Sequence, residues 1–232
     1  MKMSRIKIGN IPAIVFGDIS NKVYVYVHGK MGKKEEASSF AEIAIDKGFQ
    51  VISFDLPEHG ERMDIDYQNN IWNGVSDLNE VLNYAKSIWK EINLYAVSIG
   101  VYYSLIAYSN IPIKNCLFIS PIIDMKKLIE NMLLWSNSTI EKLTENSIIE
   151  TSFGETLNID YYNFVLENPI RNWNNITHIL YGMQDNMMDF NTIINFTKKF
   201  NCELTTYSDM EHYQYTEKDL ERLKKWQEKS IQ

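Results

Sequence analysis

Leu94-Tyr95-Ala96-Val97-Ser98-Ile99-Gly100 reads as a short strand that runs without a linker into a helix, with a serine at the joint. Leu94 to Val97 is apolar and strand-like, and from Ser98 to about Tyr108 the pattern is helical. A small residue stands two before the serine and a glycine two after it. That is the spacing of a G-x-S-x-G strand–turn–helix, with Ala96 in place of the first glycine. Such a joint holds the serine in a strained backbone conformation and presses strand against helix, so its neighbours must be small. A buried serine capping a helix gives the same local pattern, so the motif needs its context.

Outward from that joint, β-branched runs alternate with amphipathic helices, the pattern of an α/β protein. Arg5 to Ile8 and Ala13 to Phe16 form an opening hairpin, broken by Asn10 and Pro12. Val23 to Val27 is a strand ending in His28-Gly29, and Phe49 to Phe54 is another ending at Asp55. Between them lies a helix from about Glu35 to Asp46, closed by Gly48. Ile71, Val75, Leu78, Leu82, Ala85 and Trp89 mark one face of a long helix within 69–90. Asn115 to Ile119, Ile176 to Tyr181 and Leu204 to Tyr207 supply further strands. Apolar helix faces flank the last two: Phe190, Ile193 and Ile194, then Leu220, Leu223 and Trp226. Residues 121–173 break the alternation: this helix-like stretch is far longer than an ordinary crossover. We read it as an inserted helical lid within a single domain spanning 1–232, with Met125, Leu128, Ile129, Met132 and Trp135 on one apolar face.

Composition excludes several classes of function. With 23 basic and 30 acidic residues the net charge is −7, and no basic stripe is present. The chain therefore has no electrostatic hold on nucleic acid or anionic membrane. No apolar run reaches 18 residues, and no secretory h-region opens the chain, so neither a membrane span nor a signal peptide is expected. The two cysteines, Cys116 and Cys202, lack metal or redox spacing and read as structural thiols of a cytoplasmic protein.

Beyond the serine joint, four further landmarks occur. His28-Gly29 follows the third strand, and Asp55-Leu56-Pro57-Glu58-His59-Gly60 follows the fourth. Gly182-Met183-Gln184-Asp185 follows the penultimate strand, and His212 follows the last. Together with Ala96-Val97-Ser98-Ile99-Gly100 they resemble the α/β-hydrolase fold family over essentially the whole chain, including its Ser, acid, His order. The resemblance implies a mostly parallel sheet with helices on both faces and a serine nucleophile at Ser98. It also implies a general base at His212 and its carboxylate partner at Asp185. Asp124, after the sixth strand, is the alternative acid, and Asp189 reads as a helix cap. The other histidines take other roles: His28 in a backbone turn, His59 shaping a loop, His178 in a strand core. The oxyanion hole is expected from the backbone N–H groups of Ile99 and Lys30, with Met31 as neighbour.

The function these features imply is a serine hydrolase acting on a small-molecule ester or thioester, with no metal and no organic cofactor. Met31, Met125, Met132 and Trp135 are the expected substrate contacts, in a pocket suited to apolar acyl or aromatic groups. An aminopeptidase of the same fold would need acids for the substrate amine, for which Glu130, Glu141 and Glu145 stand in the insertion. An acyltransferase and a non-catalytic binder are the remaining alternatives.

Overall fold

Strand periodicity translates directly into two buried faces. In β3 (Lys22–Val27), Val23, Val25 and Val27 pack on one side of the sheet, and Tyr24 and Tyr26 on the other. The structure, a computed structural model, describes residues 1–214 and 216–231. Its eight-stranded sheet also contains β1 (Met3–Ile8), β2 (Ile11–Phe16), β4 (Gln50–Phe54), β5 (Glu91–Val97) and β6 (Cys116–Ile119). It is completed by β9 (Thr177–Gly182) and β10 (Glu203–Tyr207). The strand order is β1-β2-β4-β3-β5-β6-β9-β10. Strands β1, β2 and β4 pair antiparallel, and every pairing from β4 to β10 is parallel.

Helices cover both faces, as a parallel sheet requires. On one side lie α1 (Ser38–Asp46), through Phe40, Ala41 and Ala44, and α8 (Glu217–Ser230), through Trp226. On the other lie α2 (Ile71–Ile88), α3 (Ile99–Ala107) and α7 (Phe190–Phe200). The helix expected from Glu35 begins as a 3-10 turn over Lys34–Ala37 before α1. Lys34 is held there by the buried carboxylate of Asp55, at 2.6 Å from Nζ and 2.9 Å from the backbone N.

Between β6 and β9 the chain forms α4 (Met125–Trp135), α5 (Ile140–Asn146), β7 (Ile148–Glu150), β8 (Thr156–Asn158) and α6 (Ile159–Glu167). The stretch expected to be wholly helical thus contains an antiparallel ribbon, turned at Phe153-Gly154. Asp124, Thr139 and Asn158 cap its three helices through side-chain oxygens. Among the described residues no helix is long and apolar enough to cross a membrane.

Parallel strands place their C-terminal ends along one edge, and that edge collects the chemistry. His28 follows β3, Asp55 follows β4, Ser98 follows β5, Asp185 follows β9 and His212 follows β10.

Candidate active site

Ser98 sits at the joint of β5 and α3 with φ 50° and ψ −116°, a conformation in which a non-glycine residue is strained. The surroundings hold it there. Its N–H donates to the Ile119 carbonyl at 3.0 Å, and its carbonyl accepts from the Val101 and Ile122 N–H groups. Gly100 explains the close packing of the elbow: a Cβ there would lie 2.6 Å from the His28 carbonyl oxygen and 2.9 Å from that of Val27. Ala96, two residues before the serine, is fully buried and accommodates the same approach.

The Ser98 hydroxyl lies 2.9 Å from His212 Nε2, and His212 Nδ1 lies 2.7 Å from Asp185 Oδ2. The carboxylate can only accept, so Nδ1 carries the proton and Nε2 presents its lone pair to the serine O–H. The Asp185 carboxylate is completely buried, and its other oxygen accepts from the backbone N–H groups of Met187 (2.7 Å) and Met188 (3.1 Å). The histidine loop is pinned in turn. Gln214 Nε2 donates to the His212 carbonyl and to Ser120 Oγ, both at 2.9 Å. Gly182 lets the end of β9 approach this loop, since a Cβ there would fall 2.2 Å from the Met210 carbonyl oxygen. Gln214 carries no sequence signal of this role, because Ser120, which it ties to the histidine loop, is 94 positions away.

The alternative acids are engaged elsewhere. Asp124 caps α4 by accepting from the Lys127 N–H at 3.0 Å. Asp189 caps α7 and pairs with Lys127, and these hydrogen bonds hold its carboxyl far below the usual carboxylate range. His178 is buried on β9 beside Glu203 of β10, 3.1 Å away.

His28 is buried, and desolvation pushes its pKa from 6.5 down to about 4. Between those values the unfolded chain binds a proton that the native imidazole refuses, so the contribution of His28 to stability is complete above pH 6.5 and is lost as pH drops towards 4. The expected loss is about 3 kcal/mol. His28→Gln should flatten the pH dependence of unfolding in this window; parallel curves for variant and wild type would contradict it.

A cavity of about 210 Å³ opens at Ser98 and His212. Its apolar wall is Ile122, Met125, Leu128, Ile129, Met132 and Trp135, largely from α4, facing Phe153, Leu157 and Met187. Met31 is placed otherwise than the sequence suggested. Its side chain is 86% exposed and lines no part of the cavity, because its left-handed backbone (φ 63°) turns it outward. Its N–H is also committed, donating to His59 Nε2 at 3.1 Å. The Ile99 amide lies at the first position of α3, where helix N–H groups have no intrahelical partner. Glu130, Glu141 and Glu145 do not line the cavity. Glu155, which sequence reasoning missed, does, and it is paired with Lys30 Nζ. Among the described residues no group of three or more His, Cys, Asp or Glu side chains is arranged to hold a metal ion.

No protein-family model matches the chain, and no curated protein matches it by sequence. Solved structures do. Est1E from Butyrivibrio proteoclasticus, in a structure with ferulic acid bound, superposes with a TM-score of 0.78 at 18% identity, covering 97% of this chain and 96% of that one. A protein from Agrobacterium vitis S4 gives 0.80 at 18% identity, covering 100% and 99%. Mouse alpha/beta hydrolase domain-containing protein 10 gives 0.73 at 12%, covering 96% and 95%. The chain has the α/β-hydrolase fold. At these identities the likeness speaks for the fold alone. Within an α/β-hydrolase fold, the positions after β5, β9 and β10 are those the sequence landmarks selected, and the side chains there stand within hydrogen-bond reach of one another.

Proposed function

We propose that the protein is a serine hydrolase that cleaves carboxylic ester or thioester bonds of small to medium apolar or aromatic acyl groups. The observation that carries this reading is the unbroken chain Ser98 Oγ–His212 Nε2, His212 Nδ1–Asp185 Oδ2, opening on an apolar cavity. In this reading Ser98 Oγ attacks the acyl carbonyl carbon while its proton passes to His212 Nε2. The oxyanion rests on the Ile99 and Lys30 amides, and Asp185 steadies the imidazolium without taking the proton. His212 then protonates the departing alkoxide or thiolate, and water repeats the two steps on the acyl-enzyme to release the acid and restore Ser98.

The cavity volume of about 210 Å³ supports a compact acyl group. Est1E is known with ferulic acid bound, which accords with an aromatic acyl group. An aminopeptidase needs an unpaired acid for the substrate amine. Glu155 lines the cavity, but Lys30 already neutralises it, so ester hydrolysis is favoured. A panel of esters of graded acyl length, with product analysis, tests the proposal. Release of acid that peaks at short or aromatic acyl groups supports it, and no turnover of any member overturns it.

Residues 121–173 act in this proposal as a lid over Ser98. Met132 and Trp135 line the cavity from α4, with the Trp135 ring centroid 6.2 Å from that of Phe153. Met132 is half-buried and Trp135 is 47% exposed, so a long acyl group that covers them gains at most about 1.5–3 kcal/mol for each side chain. Met132→Ala and Trp135→Ala should therefore shift the ratio of kcat/KM between long and minimal acyl esters by about ten- to a hundred-fold. If both variants lower thermal stability and leave that ratio unchanged, the segment is structural only.

A further inference from the structure

Two loops at the strand ends exchange imidazoles. His28, in the turn after β3, accepts the Leu56 N–H of the loop after β4 on its Nε2 at 3.0 Å. His59, in the loop after β4, accepts the Met31 N–H of the turn after β3 on its Nε2 at 3.1 Å. Each ring's Nδ1 lies 2.7 Å from a carbonyl oxygen, of Gly29 and Pro57 respectively. A carbonyl can only accept, so both rings are neutral with the proton on Nδ1, and both Nε2 lone pairs are spent on backbone amides. Neither histidine has a lone pair left to act as a base toward Ser98. The rings lie 5.1 Å apart, centroid to centroid, and both are buried.

The turn between these two bonds carries the second oxyanion amide. Gly32 N–H closes it on the Gly29 carbonyl at 3.1 Å, and Met31 takes the left-handed conformation that His59 stabilises by accepting its N–H. Behind it Asp55 anchors Lys34. On its other side the His28 carbonyl lies so close to α3 that residue 100 must be glycine. The turn is thus held against the helix that supplies the first amide. We infer that His28 and His59 form a reciprocal clasp that fixes this turn so that the Lys30 N–H, not the Met31 N–H, meets the oxyanion. Both imidazoles are then positioning residues for the reaction. The inference rests on the proposed serine-hydrolase reading, because it assigns the amides of that reaction's oxyanion hole.

Two measurements test it. In wild-type protein at pH 7, long-range ¹H–¹⁵N spectra of the histidine rings should show His28 and His59 as Nδ1–H tautomers. The Met31 and Leu56 amides should also be protected from hydrogen exchange. A protonated Nε2 on either ring, or fast exchange at Met31, overturns the clasp. This readout needs no activity and no variant, so it stands or falls apart from the proposed function.

The second compares His59→Phe, which keeps a ring and loses the acceptor, with His59→Gln, whose side-chain carbonyl can take the Nε2 position. An oxyanion donor acts only in the transition state, and losing one outright costs about 10²–10³ in kcat. Misaiming the turn in His59→Phe should lower kcat by about 10- to 100-fold with KM nearly unchanged. Affinity for a trifluoromethyl ketone analogue should weaken in parallel, and His59→Gln should restore most of the rate. A His59→Phe enzyme with wild-type kcat, or one in which KM alone rises, overturns the positioning role. If wild type neither turns over esters nor reacts with a serine-directed probe, it is the serine-hydrolase reading that fails.

Discussion

Ser98→Ala is expected to lower kcat on an activated ester by about 10⁵–10⁶-fold, and His212→Ala to match it. The double variant should be scarcely slower than either single one. The reason is the geometry at the elbow. The hydroxyl and the imidazole are joined by one 2.9 Å hydrogen bond, and each is useless to the acyl transfer without the other. In the proposed reaction, what survives is the oxyanion amides and the cavity, worth about 10³-fold over water. Folding should be little affected by Ser98→Ala, because alanine inherits the same unfavourable φ of 50°. Ser98→Gly, free of that strain, should be more stable than wild type by about 1 kcal/mol while equally inactive. Steady-state kinetics and urea unfolding check both halves. Additive losses in the double variant would mean that the two residues do not act as a unit.

Asp185→Asn is expected to lower kcat by about 10⁴-fold with almost no change in stability. Two backbone amides, of Met187 and Met188, donate to Asp185 Oδ1. An asparagine keeps its carbonyl oxygen on those donors and so turns its NH₂ toward His212 Nδ1. The imidazole then moves its proton to Nε2 and can no longer accept from Ser98. Asp124→Asn should behave as wild type, since asparagine caps α4 as well as aspartate does. A severe loss at Asp124 and a mild one at Asp185 would move the acid to the end of β6.

The ends of β3, β4 and β5 were legible because each is a short apolar run stopped at once by a residue with its own chemistry, His28, Asp55 and Ser98, whereas Asp185 and His212 stand in the loops after β9 and β10. Once the sheet is parallel, those stops fall on one edge, and the order of the three site residues along the chain suffices to propose them. Three-residue strands were not legible. Ile148-Ile149-Glu150 and Thr156-Leu157-Asn158 are too short to show a period of two, and they lie inside a helical pattern. Pro12 read as a break, yet it is the second residue of β2, where its carbonyl accepts the Asp55 N–H. Met31 read as a substrate contact because it neighbours the oxyanion turn. Its backbone conformation, which depends on a hydrogen bond to a residue 28 positions away, directs the side chain to solvent instead. The polar cavity residues Asn69, Glu155 and Tyr161 come from segments that meet only in the folded chain, and no local pattern marks them.

In the proposed reaction Ser98 is a nucleophile activated by His212. Reaction with a fluorophosphonate, read by intact-protein and peptide mass spectrometry, tests it most directly. One adduct per chain is expected on the peptide containing Ser98, absent in Ser98→Ala and formed far more slowly in His212→Ala. An unlabelled wild type, or an adduct on any other residue, would contradict it.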